Sequence, residues 1–426
     1  MLATLVYFAL PACLLILGLP IFVVLTLTSM AAIVFVAHVP LDAIQTNMFG
    51  SLDNFPLLAV PFFVLAGEIM GRGGIANRVV NWVVSLIGGV RGSLAVTTVA
   101  SSELFGAMAH TTVGTVVAIG RLLFPSLTKH GYSERFAVSL ITSSGAVAVI
   151  IPPSISMILY AMTAQVSAIQ LFTAGILPSL LIGVVDAIYV LIYARIKAVP
   201  LTSTARWKNI WASTKEASWA IGTIVVIFGG IYGGVFTPTE AAGVAVVYSL
   251  FVAMFIYREI GLRELWQVIV SSVYLIAQIL IIVTGAGIYS WLITTSGIPR
   301  QMIGGIDALH LPAWETLLFV NVGLLLAGSF LEPPAAILIL TPLLLPVVEA
   351  AGVNAIHFGI IMAVNLSIGL YMPPFGLNLF AARAIFNVPM GMIYRGVLPF
   401  VAVNFIALLL ITYLPAISMV LLKAAH

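Results

Sequence analysis

The chain has 426 residues, of which 62% are hydrophobic and only 7% are charged, and its formal net charge is +3. Soluble domains carry about 25% charged residues, so this composition indicates a membrane protein with many spans and excludes a soluble globular domain. The small net charge argues against nucleic acid as a partner. The single cysteine, Cys13, excludes both an intramolecular disulfide and a cysteine-based metal site.

Apolar runs long enough to cross a bilayer predict an all-α polytopic membrane protein with about ten transmembrane helices. In chain order these predicted spans cover residues 3–17, 19–37, 56–71, 136–163, 171–194, 217–235, 239–257, 266–293, 357–384 and 392–415. Segments 75–90 and 297–311 are predicted to lie along the membrane interfaces. The loop 38–55 contains Asp but neither Lys nor Arg, which predicts that it lies on the outer side of the membrane.

Two further segments, 93–126 and 313–348, are predicted to be re-entrant hairpins. Each has two apolar arms around a short polar tip, FGAMAHTTVG in the first segment and GSFLEPPAA in the second. An arm of roughly 14–16 residues extends ~21–24 Å, which is shorter than the ~30 Å hydrocarbon core. We therefore expect both tips to end in the middle of the membrane.

Double prolines interrupt two of the predicted spans, at Pro152-Pro153 and at Pro373-Pro374. Proline lacks the N–H that a helix needs and clashes with the preceding turn, so each pair predicts a broken helix. In lipid, such a break is tolerated only where it is buried in protein or lines a polar cavity.

An internal repeat relates these features. A shift of 221 positions aligns a series of Gly and Pro residues without a gap: Pro125 with Pro346, Gly131 with Gly352, Pro152 with Pro373, Pro153 with Pro374, Gly175 with Gly396 and Pro178 with Pro399. Lys129 and Arg135 mark one loop as cytoplasmic, whereas its repeat mate has neither Lys nor Arg. The two halves are therefore predicted to be inverted. Inverted repeats with paired broken helices are typical of secondary transporters.

Five long stretches give the chain a family resemblance that covers nearly its whole length. They are NFPLLAVPFFVLAGEIMGRGGIANRVV (54–80), IIPPSISMILYAM (150–162), AGILPSLL (174–181), IYGGVFTPTEAAGVAVVY (231–248) and HFGIIMAVNLSIGLYMPPFGLNLF (357–380). The chain resembles the large membrane subunit of tripartite ATP-independent periplasmic (TRAP) transporters. The resemblance implies an elevator-type importer of the bacterial inner membrane, which takes up a small organic acid with sodium. It also implies two partners, a small four-span membrane subunit and a periplasmic substrate-binding protein.

The resemblance also divides the chain into four parts. Residues 1–92 would form N-terminal scaffold helices and an interfacial arm, and 93–194 would form the first transport-domain repeat. Residues 195–312 would supply a cytoplasmic linker, further scaffold helices and a second arm, and 313–426 would form the second transport-domain repeat.

Both hairpin tips depart from the family pattern. The first tip reads Ala109-His110-Thr111-Thr112, where the family usually has a Ser-Gly-Ser-Ser run. The second reads Glu332-Pro333-Pro334, where the family usually has Asp followed by small hydroxyl residues. The tips face the substrate in the family, so these departures leave the identity of the organic acid open.

Two sodium sites are implied by the resemblance, because unwound helices free backbone carbonyls that bind hard cations. The first would use carbonyls and a closing hairpin at Ala148, Ile151, Pro153, Gly106, Ala109 and Thr112. The second would use Gly369, Met372, Phe375 and Gly328. The alternative is that each break is only a kink that serves packing.

A helix restarts after each break, at Ser154 and near Gly376, and free N–H groups at such a start favour an anion. The nearby polar groups are candidate substrate ligands: His110, Thr111, Thr112, Ser154, Ser156 and Asn378. Each of them has an alternative role as a helix cap or a back-bonded side chain.

Acidic residues inside the apolar runs are expected to have roles, because ionisable groups are costly in the membrane. Glu332, at the second tip, is predicted to bind the solute or to titrate, with a hydrogen bond to backbone N–H groups as the alternative. Asp186 is predicted to pair with a neighbouring helix, and the role of Glu103 is left open. Glu240, in the run Thr237-Pro238-Thr239-Glu240, is predicted to cap a helix.

Other classes of protein fit less well. The sequence has no G-x-x-x-x-G-K-[ST] loop, no H-E-x-x-H motif and no G-x-S-x-G elbow, so neither an ATP-driven pump nor an enzyme is predicted. No cofactor is expected beyond Na⁺ as the coupling ion. A stand-alone cation/organic-anion symporter without a binding protein remains the alternative.

Overall fold

A computed structural model describes residues 3, 5–37, 39–40, 42–87, 90–109, 111–201, 207–308 and 311–424. Every regular element within these ranges is helical. Seven of the described helices are long and apolar enough to cross a membrane, and the shorter apolar helices lie near the N-terminus or beside the double prolines. The protein is therefore an all-helical membrane protein, as its composition predicts.

The N-terminal helices are α1 (Leu10–Ile16), α2 (Ile21–Ala32), α3 (Asp42–Leu52), α4 (Ala59–Arg72) and α5 (Ile75–Leu86). The next group comprises α6 (Ser93–Ala109), α7 (Thr112–Lys129), α8 (Glu134–Ala146), α9 (Ile155–Ala164) and α10 (Ala168–Ile196). Short π-helical or 3₁₀ segments extend several of these helices, at Leu5–Ala9, Ile33–Ala37, Phe55–Leu58 and Val147–Val149.

The middle of the chain forms α11 (Trp207–Tyr232), α12 (Pro238–Phe251), α13 (Leu262–Thr295) and α14 (Ile298–Ala308), and a π-helical segment, Val252–Ile256, follows α12. The last group comprises α15 (Ala313–Phe330), α16 (Pro333–Ala350), α17 (Ala355–Gly369), α18 (Leu377–Phe386), α19 (Met390–Tyr413) and α20 (Ala416–Ala424).

The helix bounds follow the internal repeat seen in the sequence. Helices α7 and α16 begin and end at positions that the repeat relates, and so do the starts of α8 and α17. Both double prolines contain a cis peptide bond. The side chain of Ser367 donates a hydrogen bond of 2.8 Å to the carbonyl of Ala146, and these two residues are themselves repeat mates, 221 positions apart. The two halves therefore meet at equivalent points of their backbones.

Three sequence predictions differ from the structure. The loop 38–55 contains a helix, α3, which packs along α13, and a β-carbon at Gly287 would lie within 3 Å of the Ser51 side chain. The C-terminal helix α20 lies beyond the predicted spans. The hairpin arms are 17 or 18 residues long, not 14–16, because their helices continue to the polar tips. Arm length therefore does not by itself indicate re-entry into the membrane.

Candidate functional site

The first broken helix has a well-defined connection between α8 and α9. Helix α8 ends in a 3₁₀ turn, Val147–Val149, and the hydroxyl of Ser154 donates a 2.6 Å hydrogen bond back to the carbonyl of Val149. None of the described residues donates a hydrogen bond to the carbonyls of Ile151 or Pro153. These two oxygens are thus free to bind a cation, as the sodium prediction requires.

The second broken helix is a tighter connection between α17 and α18. The N–H of Met372 bonds to the carbonyl of Gly369 at 3.1 Å, and the N–H of Gly376 bonds to the carbonyl of Met372 at 3.1 Å. No donor among the described residues reaches the carbonyl of Phe375. A carbonyl oxygen has two lone pairs, so Gly369 and Met372 retain capacity for a further ligand.

Each hairpin touches the break of its own half through small residues. A β-carbon at Gly106 would lie 2.8 Å from the β-carbon of Ala148, so α6 and the first break are in direct contact. A β-carbon at Gly369 would lie 2.5 Å from the backbone of Gly328, so α15 and the second break meet backbone to backbone. The ring of Phe330, at the end of α15, also packs against the ring of Phe375 in the second break, with 4.9 Å between the ring centres. Five of the predicted sodium residues therefore lie where a hairpin contacts a break: Gly106, Ala148, Gly328, Gly369 and Phe375.

A cavity of about 390 Å³ lies at the tips of both hairpins. Its lining includes most of the predicted substrate ligands: Thr111, Thr112, Ser154, Ser156 and Glu332. Helices α4 and α13 complete the wall, with Val64 and Glu68 on the former and Gln278 on the latter. The cavity thus lies between the hairpin tips and two helices that belong to neither hairpin.

The helix starts in this cavity offer free hydrogen-bond donors. The Thr111 hydroxyl caps α7 by accepting a 2.9 Å bond from the N–H of Gly114. The N–H groups of Thr112 and Val113 on α7, and of Ile155 and Ser156 on α9, have no acceptor in the described part of the chain, and all four residues line the cavity. Two helix N-termini therefore present donors and their positive dipole ends to the same space.

Glu332 is the residue immediately before α16, and its side chain is exposed to the cavity. No described residue donates a hydrogen bond to the carboxylate, and the next two residues, Pro333 and Pro334, have no N–H to offer. The structural alternative for Glu332, a bond to backbone N–H groups of its own helix, is therefore not formed. The carboxylate is available to a solute, a cation or water.

Two polar residues of the cavity wall, Glu68 and Gln278, were not predicted as site residues from the sequence. Glu68 pairs with Arg72 at 3.3 Å, one turn further along α4, and accepts a 3.3 Å hydrogen bond from the Ser271 hydroxyl. Gln278 is a polar residue in an apolar stretch of the long helix α13, and such an isolated polar residue could have indicated a functional position in the sequence. Among the described residues of the wall, Glu68 and Glu332 are the charged ones, and none is Lys or Arg.

Other predicted residues lie elsewhere. Asn378 is buried and its amide donates a 3.3 Å hydrogen bond to the carbonyl of Thr142 on α8, so it joins the two halves rather than lining the cavity. The carbonyl of Ala109 packs against Gly67 of α4, where an added β-carbon would lie 2.7 Å away. His110 lies outside the described residues.

Two structural predictions are confirmed. Asp186 accepts a 2.9 Å hydrogen bond from the amide of Asn404, which joins α10 to α19 as expected of a buried acid paired with a neighbouring helix. Glu240 forms a capping box with Thr237 at the start of α12.

Comparison with known proteins identifies the family. Residues 8–417 match the family of the tripartite ATP-independent periplasmic transporter, DctM component. The C4-dicarboxylate TRAP transporter large permease protein DctM of Pseudomonas aeruginosa is 38% identical over 379 residues, which cover 89% of each chain. The isethionate TRAP transporter permease protein DctMQ of Oleidesulfovibrio alaskensis is 37% identical over 414 residues, which cover 97% of this chain and 65% of that one.

The fold is also similar to that of a solved transporter. The YdaH transporter of Alcanivorax borkumensis superimposes with a TM-score of 0.65 at 15% sequence identity, over 87% of this chain and 88% of that one. The sequence matches and the membrane-spanning helices lead to one assignment: the chain belongs to the DctM family and is the large permease of a TRAP transporter in the inner membrane.

Proposed function

We propose that this permease imports a small organic acid together with Na⁺ by an elevator movement. The observation that carries the proposal is the cavity in which two helix N-termini with free N–H groups meet, flanked by two broken helices with free carbonyls. An anion would bind the first set of groups, and a hard cation would bind the second.

The donor set supports an acid bound through backbone and hydroxyl groups. The described part of the cavity wall contains no Lys or Arg, so the carboxylate of the solute would be held by the N–H groups of Thr112, Val113, Ile155 and Ser156. Helix N-termini bind anions without a neutralising side chain because several donors and the helix dipole act together. Glu332 would then face the rest of the solute, where a hydroxyl or ammonium group is the complementary partner.

The position of the cavity supports alternating access. Hairpin tips and broken helices form one side of the wall, and α4 and α13 form the other. If the first side moves against the second, a bound solute travels with the tips while α4 and α13 stay in place. Small residues lie at this boundary, where Gly67 of α4 contacts Ala109 at the end of α6. Because no large side chains interlock there, the first side of the wall could slide along the second.

A binding protein and a small membrane subunit would complete the transporter. The family is named as tripartite, and the relative from Oleidesulfovibrio alaskensis is a DctMQ protein of which this chain spans 65%. The alternative is a symporter that works alone.

Proteoliposomes test the proposal. The chain would be reconstituted with its small subunit, and uptake of isethionate, lactate and ectoine, each of which joins an acid group to an O–H or N–H donor, would be measured with binding protein under an inward Na⁺ gradient. We expect uptake of at least one of these acids, and its loss when the binding protein is omitted. Uptake that is unchanged without binding protein would favour the stand-alone symporter, and an absence of Na⁺-driven uptake would contradict the proposal.

A further inference from the structure

A second polar cluster lies away from the cavity, where helix α10 packs against both α6 and α19. It contains Glu103 of α6, Asp186 of α10 and Asn404 of α19. Asp186 and Asn404 are almost completely buried, with exposed fractions of 0% and 2%. A β-carbon at Gly183, one turn before Asp186, would overlap the Glu103 carboxylate, so this acid rests directly on α10.

The cluster has more acceptors than donors. Oε1 of Glu103, Oδ2 of Asp186 and Oδ1 of Asn404 are buried without a hydrogen-bond partner among the described residues. The only bond between the three side chains in this part of the structure is the one from the Asn404 amide to Oδ1 of Asp186. Buried polar atoms are normally satisfied, so these three oxygens around α10 call for a hydrogen-bond donor, and a proton on one of the two carboxyl groups would supply it.

The charges of the two acids also favour a bound proton. The Glu103 carboxylate rests against Gly183, one turn before Asp186 on the same helix, so the two acids would repel if both were ionised. No Lys, Arg or His in the described part of the chain forms an ion pair with either of them. Two negative charges without a counter-charge would be very costly in this low-dielectric interior.

The other titratable groups nearby are two phenols and one guanidinium. Tyr189 on α10 and Tyr371 in the second break lie near Asp186. Arg135 of α8 lies near Tyr189 and forms no ion pair with either acid. His357 on the neighbouring helix α17 is engaged elsewhere, by the Ser418 hydroxyl at 2.6 Å and the Thr412 carbonyl at 3.2 Å. None of these groups supplies a positive charge to the two acids.

We propose that Glu103 and Asp186 form a proton-binding site that takes up and releases one H⁺ in each transport cycle. A proton joins two carboxylates by an O–H donor to one O⁻ acceptor and needs no additional space, which suits a site where Glu103 already lies against Gly183. The site is separate from the two predicted sodium sites. Tyr371 links it to the second break, because this residue directly precedes Met372, whose carbonyl is a predicted sodium ligand.

Infrared spectroscopy of the purified chain tests the site without any substrate. Raising the pH from neutral to alkaline should remove the C=O band of a protonated carboxyl group in the wild type. The band should be lost or shifted in Glu103→Gln and in Asp186→Asn. It should be unchanged in Glu349→Gln, a matched carboxylate-to-amide change at an exposed position of α16. A band that neither inner substitution alters, or no band in the wild type, would overturn the proposal.

Proton movement tests the second half of the proposal, which rests on the proposed transport function. Proteoliposomes loaded with a pH-sensitive dye would take up whichever panel acid is transported, with isethionate tried first, at equal internal and external pH. We expect about one H⁺ to enter with each solute molecule, beyond any carried by the solute itself, and at least a tenfold lower ratio of H⁺ to solute in Glu103→Gln.

Uptake without this proton entry in the wild type would refute the inference and leave the proposed transport function intact. The complete absence of uptake would instead contradict the proposed function, and the infrared result would then decide on the site alone. If one of the two variants does not fold, the other assigns the infrared band, and missing proton entry in the wild type refutes the inference without any variant.

Discussion

The two hairpin tips occupy equivalent positions in the repeat and yet carry different chemistry. At the first tip, a hydroxyl caps the helix start and leaves N–H groups free, as Thr111 does for α7. At the second tip, two prolines remove N–H groups from the start of α16, and Glu332 presents an unpaired carboxylate. One tip thus offers donors and the other offers a negatively charged acceptor. A solute with a carboxylate at one end and a donor group at the other would match both tips.

The contacts behind the tips are alike. Gly106 meets Ala148 in the first half, and Gly328 meets Gly369 in the second, and in both cases small residues allow a hairpin to lie on a break. Gly and Pro therefore fix the scaffold that the two repeats share, whereas under the proposed function the few residues at each tip would determine what is bound.

The orientation of the two halves gives the largest expected effect, because the outcome is all or none. Ser133 and Asn354 are repeat mates, and both are exposed N-cap residues, so single Ser133→Cys and Asn354→Cys substitutions in a Cys13→Ala background carry similar costs. An impermeant thiol reagent should label them from opposite sides of the membrane. A permeant reagent serves as the control and should label both. Labelling of both from one side would end the inverted-repeat interpretation.

The shared scaffold can be tested at Gly369. In Gly369→Ala the new methyl group would lie 2.5 Å from the backbone of Gly328, which cannot move like a flexible side chain. We expect a loss of about 1–3 kcal/mol of stability and a smaller increase of the melting temperature on addition of Na⁺. Gly323→Ala on α15 is the control, because its β-carbon would meet nothing within 4 Å. Equal melting temperatures for the two variants would show that the close contact is not needed.

The second tip can be tested at Glu332. Glu332→Gln keeps the shape of the side chain and removes its charge, and we expect uptake per folded molecule to fall at least tenfold, roughly 1.4 kcal/mol at the limiting step. Glu332→Asp should retain more activity or change the preference among the panel acids. Glu349→Gln changes an exposed carboxylate at the other end of the same helix and should transport normally. Near wild-type uptake by Glu332→Gln would show that this residue supports the structure of the hairpin and does not bind the substrate.

The first tip should give the smallest effect. Thr111→Val removes the hydroxyl that accepts the 2.9 Å bond from the Gly114 N–H, and loss of such a cap typically costs ~1 kcal/mol. Thr111→Ser keeps the hydroxyl and should keep most of the stability. Thermal unfolding of both variants separates the two cases. A serine variant as unstable as the valine variant would show that the methyl group, and not the cap, matters at this tip.

Gly and Pro made most of the fold predictable from the sequence. Double prolines cannot sit in a continuous helix, so both breaks were placed correctly. The repeat of Gly and Pro has its counterpart in the structure, where the starts of α7 and α8 recur 221 positions later as those of α16 and α17. Helix α3 was missed because its sequence, DAIQTNMFGSL, is polar and contains Gly50, so its packing along α13 has no local signal.

The site was predictable only in part. Polar residues next to the breaks and tips could be expected to meet, and Thr111, Thr112, Ser154, Ser156 and Glu332 do line one cavity. Glu68 and Gln278 come from helices distant in the sequence, and only three-dimensional packing brings them to the wall. Asn378 follows a break as expected, but it is buried and its amide donates to the carbonyl of Thr142 in the other half, a contact that only three-dimensional packing shows.

The Na⁺ dependence of uptake tests most directly whether the two breaks are ion sites around a shared substrate cavity. Initial rates would be measured in proteoliposomes across a series of external Na⁺ concentrations, with choline as the replacement cation. Two linked sodium sites predict a rate that rises more steeply than a simple hyperbola, with a Hill coefficient above one and at most about two, and no uptake in choline. Undiminished uptake in choline under an imposed proton gradient would contradict the account.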